Sequence, residues 1–195
     1  MARSRCLGQT ALGVARTIGQ GRPTGLVTSF SGCRQCACPR GGEKTGPNPT
    51  DRRKSGSKRH LVVERQGIPL AIRHTAANVN ETTMLETMID AIPAVRQKLG
   101  RPRKRPKKLD ADKGYDSQKN RQALRKRHIL PRIARRWIDK SEKLGRHRWV
   151  VERTLAWLNR FRRLKVRYER RNDIHQAFLT LGCALVCWNF VNRFC

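Results

Sequence analysis

Asp112 is one of the few acidic side chains in a chain that has 14 Asp and Glu residues against 44 Lys and Arg residues. It lies in the segment LDADKGYDS, at the end of a predicted short strand over 108–112 and before a turn that contains glycine. In open α/β sheets, ligand-binding groups project from the carboxyl ends of strands. Asp110 alternates with Asp112 and is predicted to share its strand face. The alternative is that Asp112 only forms the turn.

Glu152 is the second acid whose surroundings could support chemistry. At ~100° per residue, a helix over Gly145–Leu164 places Glu152 opposite the apolar face and beside Arg148, Asn159 and Arg163. An acid among basic and polar side chains could hold a cation next to a phosphate. The alternative is an ordinary surface ion pair with Arg148, worth only ~0.2–0.5 kcal/mol. The predicted apolar face consists of Val150, Val151, Leu155, Trp157, Leu158 and Phe161.

The elements that would position these acids alternate between strand and helix patterns. Such an alternation predicts an α/β layered fold. Pro93 is expected to bend or shorten the helix that contains it. The predicted elements are a hairpin of Leu61–Arg65 and Ile68–His74 around Gln66-Gly67, a helix within Asn80–Leu99, strands at Lys108–Asp112 and Ile129–Ile133, and helices at Ser117–Arg127, Gly145–Leu164 and Asp173–Phe194.

Residues 1–42 differ in composition from residues 43–195. They contain no Asp, Glu, Lys, His, Asn, Tyr or Trp, and no apolar period persists in them. We therefore expect no packed core in 1–42 and a single domain over 43–195. One hypothesis is a shifted reading frame joined to a genuine remainder, and the other is a disordered basic tail. A coherent homologous N-terminus in the present frame would contradict the shifted frame.

The seven cysteines do not form a regular disulfide framework. Cys33, Cys36 and Cys38 resemble part of a zinc knuckle, but no second ligand pair follows at a usable spacing. Cys183 and Cys187 are one helical turn apart on an apolar helix, where buried thiols are the simpler interpretation.

The formal net charge of +30 points to a polyanionic partner, with nucleic acid considered first and an anionic membrane surface second. The apolar stretch Ala177–Val191 is interrupted by polar residues and is shorter than the ~20 residues that cross a bilayer, which favours a buried helix and no membrane. Ribosomal proteins are equally basic, so charge alone does not predict catalysis. The candidates for phosphate contacts are Arg52, Arg53, Lys54, Lys58, Arg101, Arg103, Lys104, Arg105, Lys107, Lys108, Arg160, Arg162, Arg163, Lys165 and Arg167.

Three segments carry a family resemblance in order along the chain. They are GGEKTGPNPTDRRKSGSKRHLVVERQGIPLAIRHTAANVNE, then DADKGYDS, then GRHRWVVERTLAWLNRFRRL followed by RYERR. From about Gly41 to Cys187 the chain resembles DDE transposases of the insertion-sequence four/five group. The resemblance implies a ribonuclease-H-like mixed sheet flanked by helices. It also implies Mg²⁺- or Mn²⁺-dependent cleavage and transfer of double-stranded DNA at insertion-sequence ends, in the bacterial cytoplasm at the nucleoid, with a homodimer on DNA left open.

The resemblance assigns roles to individual residues. Asp112 matches the second catalytic Asp and Glu152 the catalytic Glu, so both would be metal ligands. Arg148 matches the catalytic Arg of the family's Tyr-Arg-Glu-Lys signature. The signature's Tyr and Lys positions fall on Gly145 and Asn159.

The family's first catalytic Asp has no counterpart upstream of the GGEKTG loop, because no acid precedes Glu43. The sequence therefore predicts that the first strand is missing and that the chain is a catalytically impaired remnant. Two other interpretations stay open. One is a working enzyme that takes its third acid from Asp51 or elsewhere, and the other is a non-catalytic basic nucleic-acid-binding protein.

Overall fold

The computed structural model describes the backbone of residues 28–95, 101–135 and 142–194, and their side chains except those of 28–34, 142–148 and 194. The strands are β1 (Thr28–Ala37), β2 (Gly46–Pro47), β3 (Ser55–Glu64), β4 (Pro69–Ala76), β5 (Lys108–Ala111) and β6 (Leu130–Ile133). The helices are α1 (Leu85–Asp90), α2 (Gln118–Lys126), α3 (Glu142–Asn159), α4 (Arg162–Lys165) and α5 (Asn172–Phe194). Short 3₁₀ turns occupy Glu81–Met84 and Lys113–Tyr115.

The strands form one mixed sheet with β1 in its interior. On one side β1 pairs antiparallel with β3, and on the other side it pairs parallel with β5, which in turn pairs parallel with β6. The outer edge of β3 pairs antiparallel with β4 and, near Ser55, with the short strand β2. The α/β architecture predicted from the alternation of patterns is confirmed.

Alternation along β3 directs apolar side chains to helices on both faces of the sheet. Leu61 and Val63 belong to a core with α3, α4 and α5, whereas Val62 packs with Met88 and Ile92 on the other side. A third core joins α1, β5, α2 and β6. It consists of Leu85, Ile89, Leu109, Ala111, Tyr115, Leu124, Ile129 and Ile133.

The prediction that the first strand is missing is wrong. β1 lies immediately upstream of the GGEKTG loop and is hydrogen-bonded to a strand on each side. Cys36 and Cys38 are buried, so residues 28–42 also contribute to the packed structure. A central strand needs only its backbone groups to pair on both sides, which is why the composition of this segment did not reveal it. Residues 1–27 of the predicted N-terminal segment lie outside the described part of the chain.

Two other predicted elements differ in extent. The helix predicted within Asn80–Leu99 is a 3₁₀ turn capped by Asn80 and then α1, which ends at Asp90, before Pro93. Val95 exchanges two backbone hydrogen bonds with Arg103, so this segment has an alternative to a continued helix. The predicted helix at Gly145–Leu164 begins at Glu142 and is interrupted after Asn159, so that α4 is separate.

The hairpin is confirmed, although β3 begins at Ser55 rather than at the predicted Leu61. The hairpin turn uses Gly67 with φ +92°, a left-handed conformation that favours glycine. β5, α2, β6 and α5 agree with the predicted ranges to within one or two residues at each end. Cys183 and Cys187 are buried free thiols of α5, as predicted.

Helix α5 is the one described helix that is long and apolar enough to cross a membrane, by length and composition alone. A core helix of a water-soluble protein can pass the same test. Leu179, Cys183 and Val186 of α5 are buried against β3 and β4 in the core that they share with α3.

Glu64, at the end of β3, is a buried acid that the sequence reading did not single out. It is 8% exposed, and its Oε1 has no hydrogen-bond partner among the described residues. Burial raises the pKa of Glu64 to about 7, because desolvation disfavours the charged carboxylate. The contribution of Glu64 to the free energy of unfolding is therefore fully present below the ordinary pKa of about 4.5, and it is lost as the pH rises toward 7.

We expect Glu64→Gln to leave the free energy of unfolding almost unchanged at pH 4.5 and to raise it at pH 8. The gain at pH 8 should be at most about 3 kcal/mol, since each pKa unit corresponds to ~1.4 kcal/mol. Urea unfolding of both proteins at several pH values measures this, and the subtraction removes contributions from other titrating groups. A difference that does not vary with pH would contradict the assignment.

Candidate catalytic and DNA-binding site

Asp112 follows the last residue of β5, where the chain leaves the sheet. Its backbone is extended, with φ −69° and ψ 163°, and its Oδ1 accepts a 2.8 Å hydrogen bond from the Lys113 backbone N. The side chain is exposed. Asp112 thus starts the 3₁₀ turn and also presents a carboxylate at the carboxyl end of a strand, so its structural role does not prevent a chemical one.

The turn after Asp112 is held from several directions. Tyr115 is buried, and its carbonyl accepts a 3.0 Å hydrogen bond from Asn120 Nδ2. Asp116 Oδ1 accepts hydrogen bonds from Nε and Nη2 of Arg121 at 2.9 and 2.8 Å. The N-cap of α2 is Ser117, whose Oγ accepts from the Asn120 backbone N. These contacts fix the position at which β5 delivers Asp112.

Glu152 lies on the exposed side of α3. Val150, Val151 and Leu155 are buried against the sheet while Glu152 is exposed, which confirms the predicted orientation of this helix. The predicted polar stripe is shorter than expected, because Asn159 accepts a 2.7 Å hydrogen bond from the buried Arg59. Arg163 falls in α4 and pairs with Glu169 at 2.9 Å.

Strand register shows which side of the sheet Asp110 and Asp112 share with helix α3. Val63, which packs against α3, pairs with Phe30, and Phe30 pairs with Asp110. Paired positions in a sheet share a face, so Asp110 is on the α3 side. Asp112 is two residues further along extended backbone and continues this alternation. Asp110, Asp112 and the helix that carries Glu152 are therefore on the same side of the sheet.

The position in β1 beside Asp112 is occupied by Gly32. The parallel ladder pairs Phe30 with Asp110 and Ser31 with Ala111, and its next step brings position 32 alongside 112. Gly32 also pairs with Leu61, which packs toward α3. Sequence reading could not identify this position, because the register between two distant strands is needed to find it.

Arg148 and Gly145 lie within α3, and Arg148 is one helical turn before Glu152. The side chain of Arg148 is outside the described residues, so its predicted role stays a prediction.

The predicted phosphate contacts that are exposed form three groups on the described surface. The first is a tight turn in which Arg52 and Arg53 have φ +44° and +57°. Their side chains and that of Lys54 are exposed. The second follows α3. Its exposed members are Arg160, Arg162, Arg163 and Lys165. The loop before β5 adds exposed Arg101, Lys104, Arg105 and Lys107, with Arg103 and Lys108 partly buried.

Two predicted phosphate contacts are wrong because the side chains are buried. Lys58 is 5% exposed, and its Nζ donates to Val79 O at 2.9 Å and to Glu81 Oε1 at 2.8 Å. Arg167 is 1% exposed, and its guanidinium donates to the Ser57 hydroxyl and to several backbone carbonyls. The positions of basic residues in a sequence do not show which of them are buried, which is why both were included among the predicted phosphate contacts.

The donor set suits a hard divalent cation rather than zinc. Within the described residues no group of three or more His, Cys, Asp or Glu side chains is close enough to hold a metal ion. Mg²⁺ keeps several waters and is commonly bound through one or two carboxylates together with substrate phosphates. Asp112 and Glu152 are two exposed carboxylates of the kind that such an ion prefers, and Gly32 has no side-chain oxygen to offer.

Comparison with known proteins gives consistent matches. The family model described as Transposase DDE domain matches residues 27–187, which include β1. The chain is 51% identical over 193 residues to a putative transposase for insertion sequence element IS402 of Burkholderia cepacia, covering 99% of this chain and 92% of that protein. It is 28% identical over 127 residues to a transposase for insertion sequence element IS1106 of Neisseria meningitidis serogroup B, of which it covers 39%.

Among solved structures, the comparison finds the simian T-cell lymphotropic virus intasome in complex with PP2A regulatory subunit B56 gamma. The match covers 79% of this chain and 47% of that chain, with 12% identity and a TM-score of 0.46.

The matches extend into the N-terminal segment. The alignment with the IS402 protein covers 99% of the chain. For residues 1–27, which lie outside the described part of the chain, the shifted reading frame and the disordered tail both stay predictions. With a family match over most of its length and a relative 51% identical along nearly the whole chain, the protein belongs to the DDE transposases of bacterial insertion sequences.

Proposed function

We propose that this transposase chain acts on double-stranded DNA with Asp112 and Glu152 as its metal-binding carboxylates, and that its cleavage is weak because β1 carries Gly32 beside Asp112. The proposal includes a ribonuclease-H-like fold. The mixed sheet supports this, with β1 between antiparallel β3 and parallel β5 and helices on both faces. The observation that carries the proposal is the common sheet face of β5 and α3.

Each residue has a distinct task in the proposed reaction, an in-line displacement at a DNA phosphorus. Bound Mg²⁺ would activate the attacking oxygen and stabilise the leaving one. Asp112 holds its carboxylate at a fixed place, because the turn that follows is anchored by the Asp116–Arg121 ion pair. Glu152 supplies a second carboxylate from α3. We assign Arg148 to orient a phosphate or Glu152, which suits its planar guanidinium.

DNA would be held by the exposed basic groups of the 52–54 turn, the loop before β5 and the segment after α3. Phosphate contacts position the protein without reading sequence. We expect binding to weaken with salt, with log K falling about 0.7–0.9 per neutralised phosphate for each tenfold rise in salt. We also propose that the protein acts in the bacterial cytoplasm, where its DNA substrate is.

We expect weak Mg²⁺- or Mn²⁺-dependent nicking of supercoiled plasmid that both Asp112→Ala and Glu152→Ala abolish. The physical reason is that each substitution removes one of the two carboxylates left to bind the ion. Asp90→Ala is the matched control, because Asp90 is an exposed acid that pairs with Arg127 at 2.9 Å on the α1 side of the sheet. Nicking is read from the conversion of supercoiled to open-circular DNA.

Asp51→Ala tests whether Asp51, which precedes the 52–54 turn, supplies the third metal-binding carboxylate. We expect no change, since Asp51 is an exposed residue that is 3.9 Å from its partner Lys54. Nicking that survives both Asp112→Ala and Glu152→Ala would defeat the assignment of these acids. Salt-sensitive DNA binding with no nicking under any condition would instead favour the non-catalytic nucleic-acid-binding protein.

A further inference from the structure

A pocket of about 580 Å³ opens between the β3–β4 turn, α3 and the last turns of α5. This volume is within the roughly 300–1,000 Å³ range of small-molecule sites. Neither the carboxylates nor the basic groups described above account for it, apart from Arg160. The lining residues are Arg65, Gln66, Trp149, Arg153, Trp157, Arg160, Phe161, Val186, Asn189, Phe190 and Arg193.

The lining combines flat aromatic rings with positive charge. It has four arginines, two tryptophans and two phenylalanines, and none of the described lining residues is acidic. Arg153 stacks over Trp149 at 4.4 Å and over Trp157 at 4.9 Å, measured from its Cζ to the ring centroids. Its Nη2 also donates to Gln66 O, which fixes the guanidinium at the β3–β4 turn.

One ring of the pocket is available to a ligand. Trp149 is 49% exposed although it is a large aromatic residue. Trp157, by contrast, already packs edge-on against Phe190, with ring centroids 5.7 Å apart. The pocket therefore offers a half-exposed aromatic ring next to the guanidinium of Arg153, which is held in place.

This chemistry selects a ligand that is both flat and anionic. A nucleobase stacks on tryptophan whatever its identity, and arginine binds phosphate through two parallel hydrogen bonds. Four arginines disfavour a purely apolar occupant, because such a ligand would desolvate their charges without pairing them. A base inside a duplex has both faces covered by its neighbours, so only an unpaired nucleotide can use the ring.

We propose that this pocket binds an unpaired nucleotide of the DNA, with its base against Trp149 and its phosphates at the surrounding arginines. The inference rests on the proposed function, in which the chain handles DNA. Glu152 immediately precedes Arg153 and is one helical turn from Trp149. The bound nucleotide would thus lie along the same helix that carries the proposed catalytic acid.

The test compares two labelled DNA probes by fluorescence anisotropy at low salt. One is a blunt duplex, and the other is the same duplex with a short single-stranded overhang. We expect the whole chain to bind the overhang probe more tightly, and Trp149→Ala to lower that affinity about 5- to 100-fold, as for the loss of one stacked base. Binding of the blunt duplex should change less than twofold, because it does not use the pocket.

Two control variants separate stacking from general damage. Trp188→Ala removes a tryptophan that is 55% exposed on α5 and is not among the lining residues, so it should leave both probes unaffected. Trp149→Tyr keeps an aromatic face and should retain most of the preference for the overhang. Deoxyadenosine monophosphate is added as a competitor to distinguish a free nucleotide from DNA. If it displaces the overhang probe at low concentration, the pocket binds a free nucleotide rather than a nucleotide of the DNA.

The outcomes distinguish this inference from the proposed function. If the chain binds both probes equally, or if Trp149→Ala and Trp188→Ala have the same effect, the nucleotide pocket is wrong while DNA binding stands. If the wild-type chain binds neither probe, the proposed function itself fails.

Discussion

Gly32→Asp is expected to raise Mg²⁺-dependent plasmid nicking by the order of 10²-fold or more, since losing even an outer partner of a metal site typically costs 10–100-fold. The new carboxylate would stand beside Asp112 in the parallel β1–β5 register. It would add a third oxygen ligand on the face of the sheet that α3 covers.

Gly32→Asn is the matched control, because it adds a side chain of the same size and shape without the negative charge. We expect no gain from it, and we expect Asp112→Ala to remove the gain from the Asp variant. Thermal unfolding with and without Mg²⁺ gives an independent measure, since an ion that binds only the folded state raises Tm. A folded Gly32→Asp protein with no metal-dependent stabilisation and no added nicking would show that position 32 is not the missing ligand position.

Arg167→Ala is expected to lower the free energy of unfolding by about 3–5 kcal/mol, because it leaves a buried hydroxyl and several carbonyls without their shared donor, at ~1–3 kcal/mol for each unsatisfied group. Nε of Arg167 donates to Glu169 O at 2.8 Å, Nη1 to Ser57 Oγ at 2.8 Å and Nη2 to Arg170 O at 3.2 Å. Its backbone N donates to Ala37 O at 2.9 Å. Arg167 thereby ties the segment before α5 to β1 and β3.

Lys54→Ala provides the comparison, because Lys54 also pairs with a neighbour, Asp51 at 3.9 Å, but both side chains are exposed, at 71% and 52%. We expect it to cost less than about 1 kcal/mol, as for surface ion pairs. Chemical denaturation of the three proteins measures both values. Arg167→Lys should recover only part of the loss, since an ammonium group cannot reach three separate acceptors in the directions that a guanidinium can. Equal small losses for Lys54→Ala and Arg167→Ala would contradict the role assigned to Arg167.

Periodicity predicted the parts of the fold whose side chains alternate between water and core. The hairpin of β3 and β4, the helix α2 and the exposed position of Glu152 all follow from such patterns. β1 could not be predicted in this way. Its sequence has no apolar period, and its place in the sheet depends on partners that are distant in the chain.

The residues of the candidate site could be predicted from the sequence, but their arrangement in space could not. The context of Asp112 and the helical spacing around Glu152 singled out both acids, and the resemblance gave them roles. The burial of Lys58 and Arg167 was not predictable, because a basic side chain becomes internal only when specific carbonyls and carboxylates surround it. The position of Gly32 beside Asp112 likewise required the register of β1 with β5.

The interior position of β1 has a consequence for how this protein can change. Its ladder bonds use backbone groups, so the architecture persists when an ionisable side chain is absent from it, and inactivation does not entail unfolding. Two of the four glycine codons become aspartate codons through a single base change. A dormant copy with this sheet intact and such a codon at position 32 would therefore be one point mutation away from a third carboxylate, and selection could act on that change without any rebuilding of the scaffold.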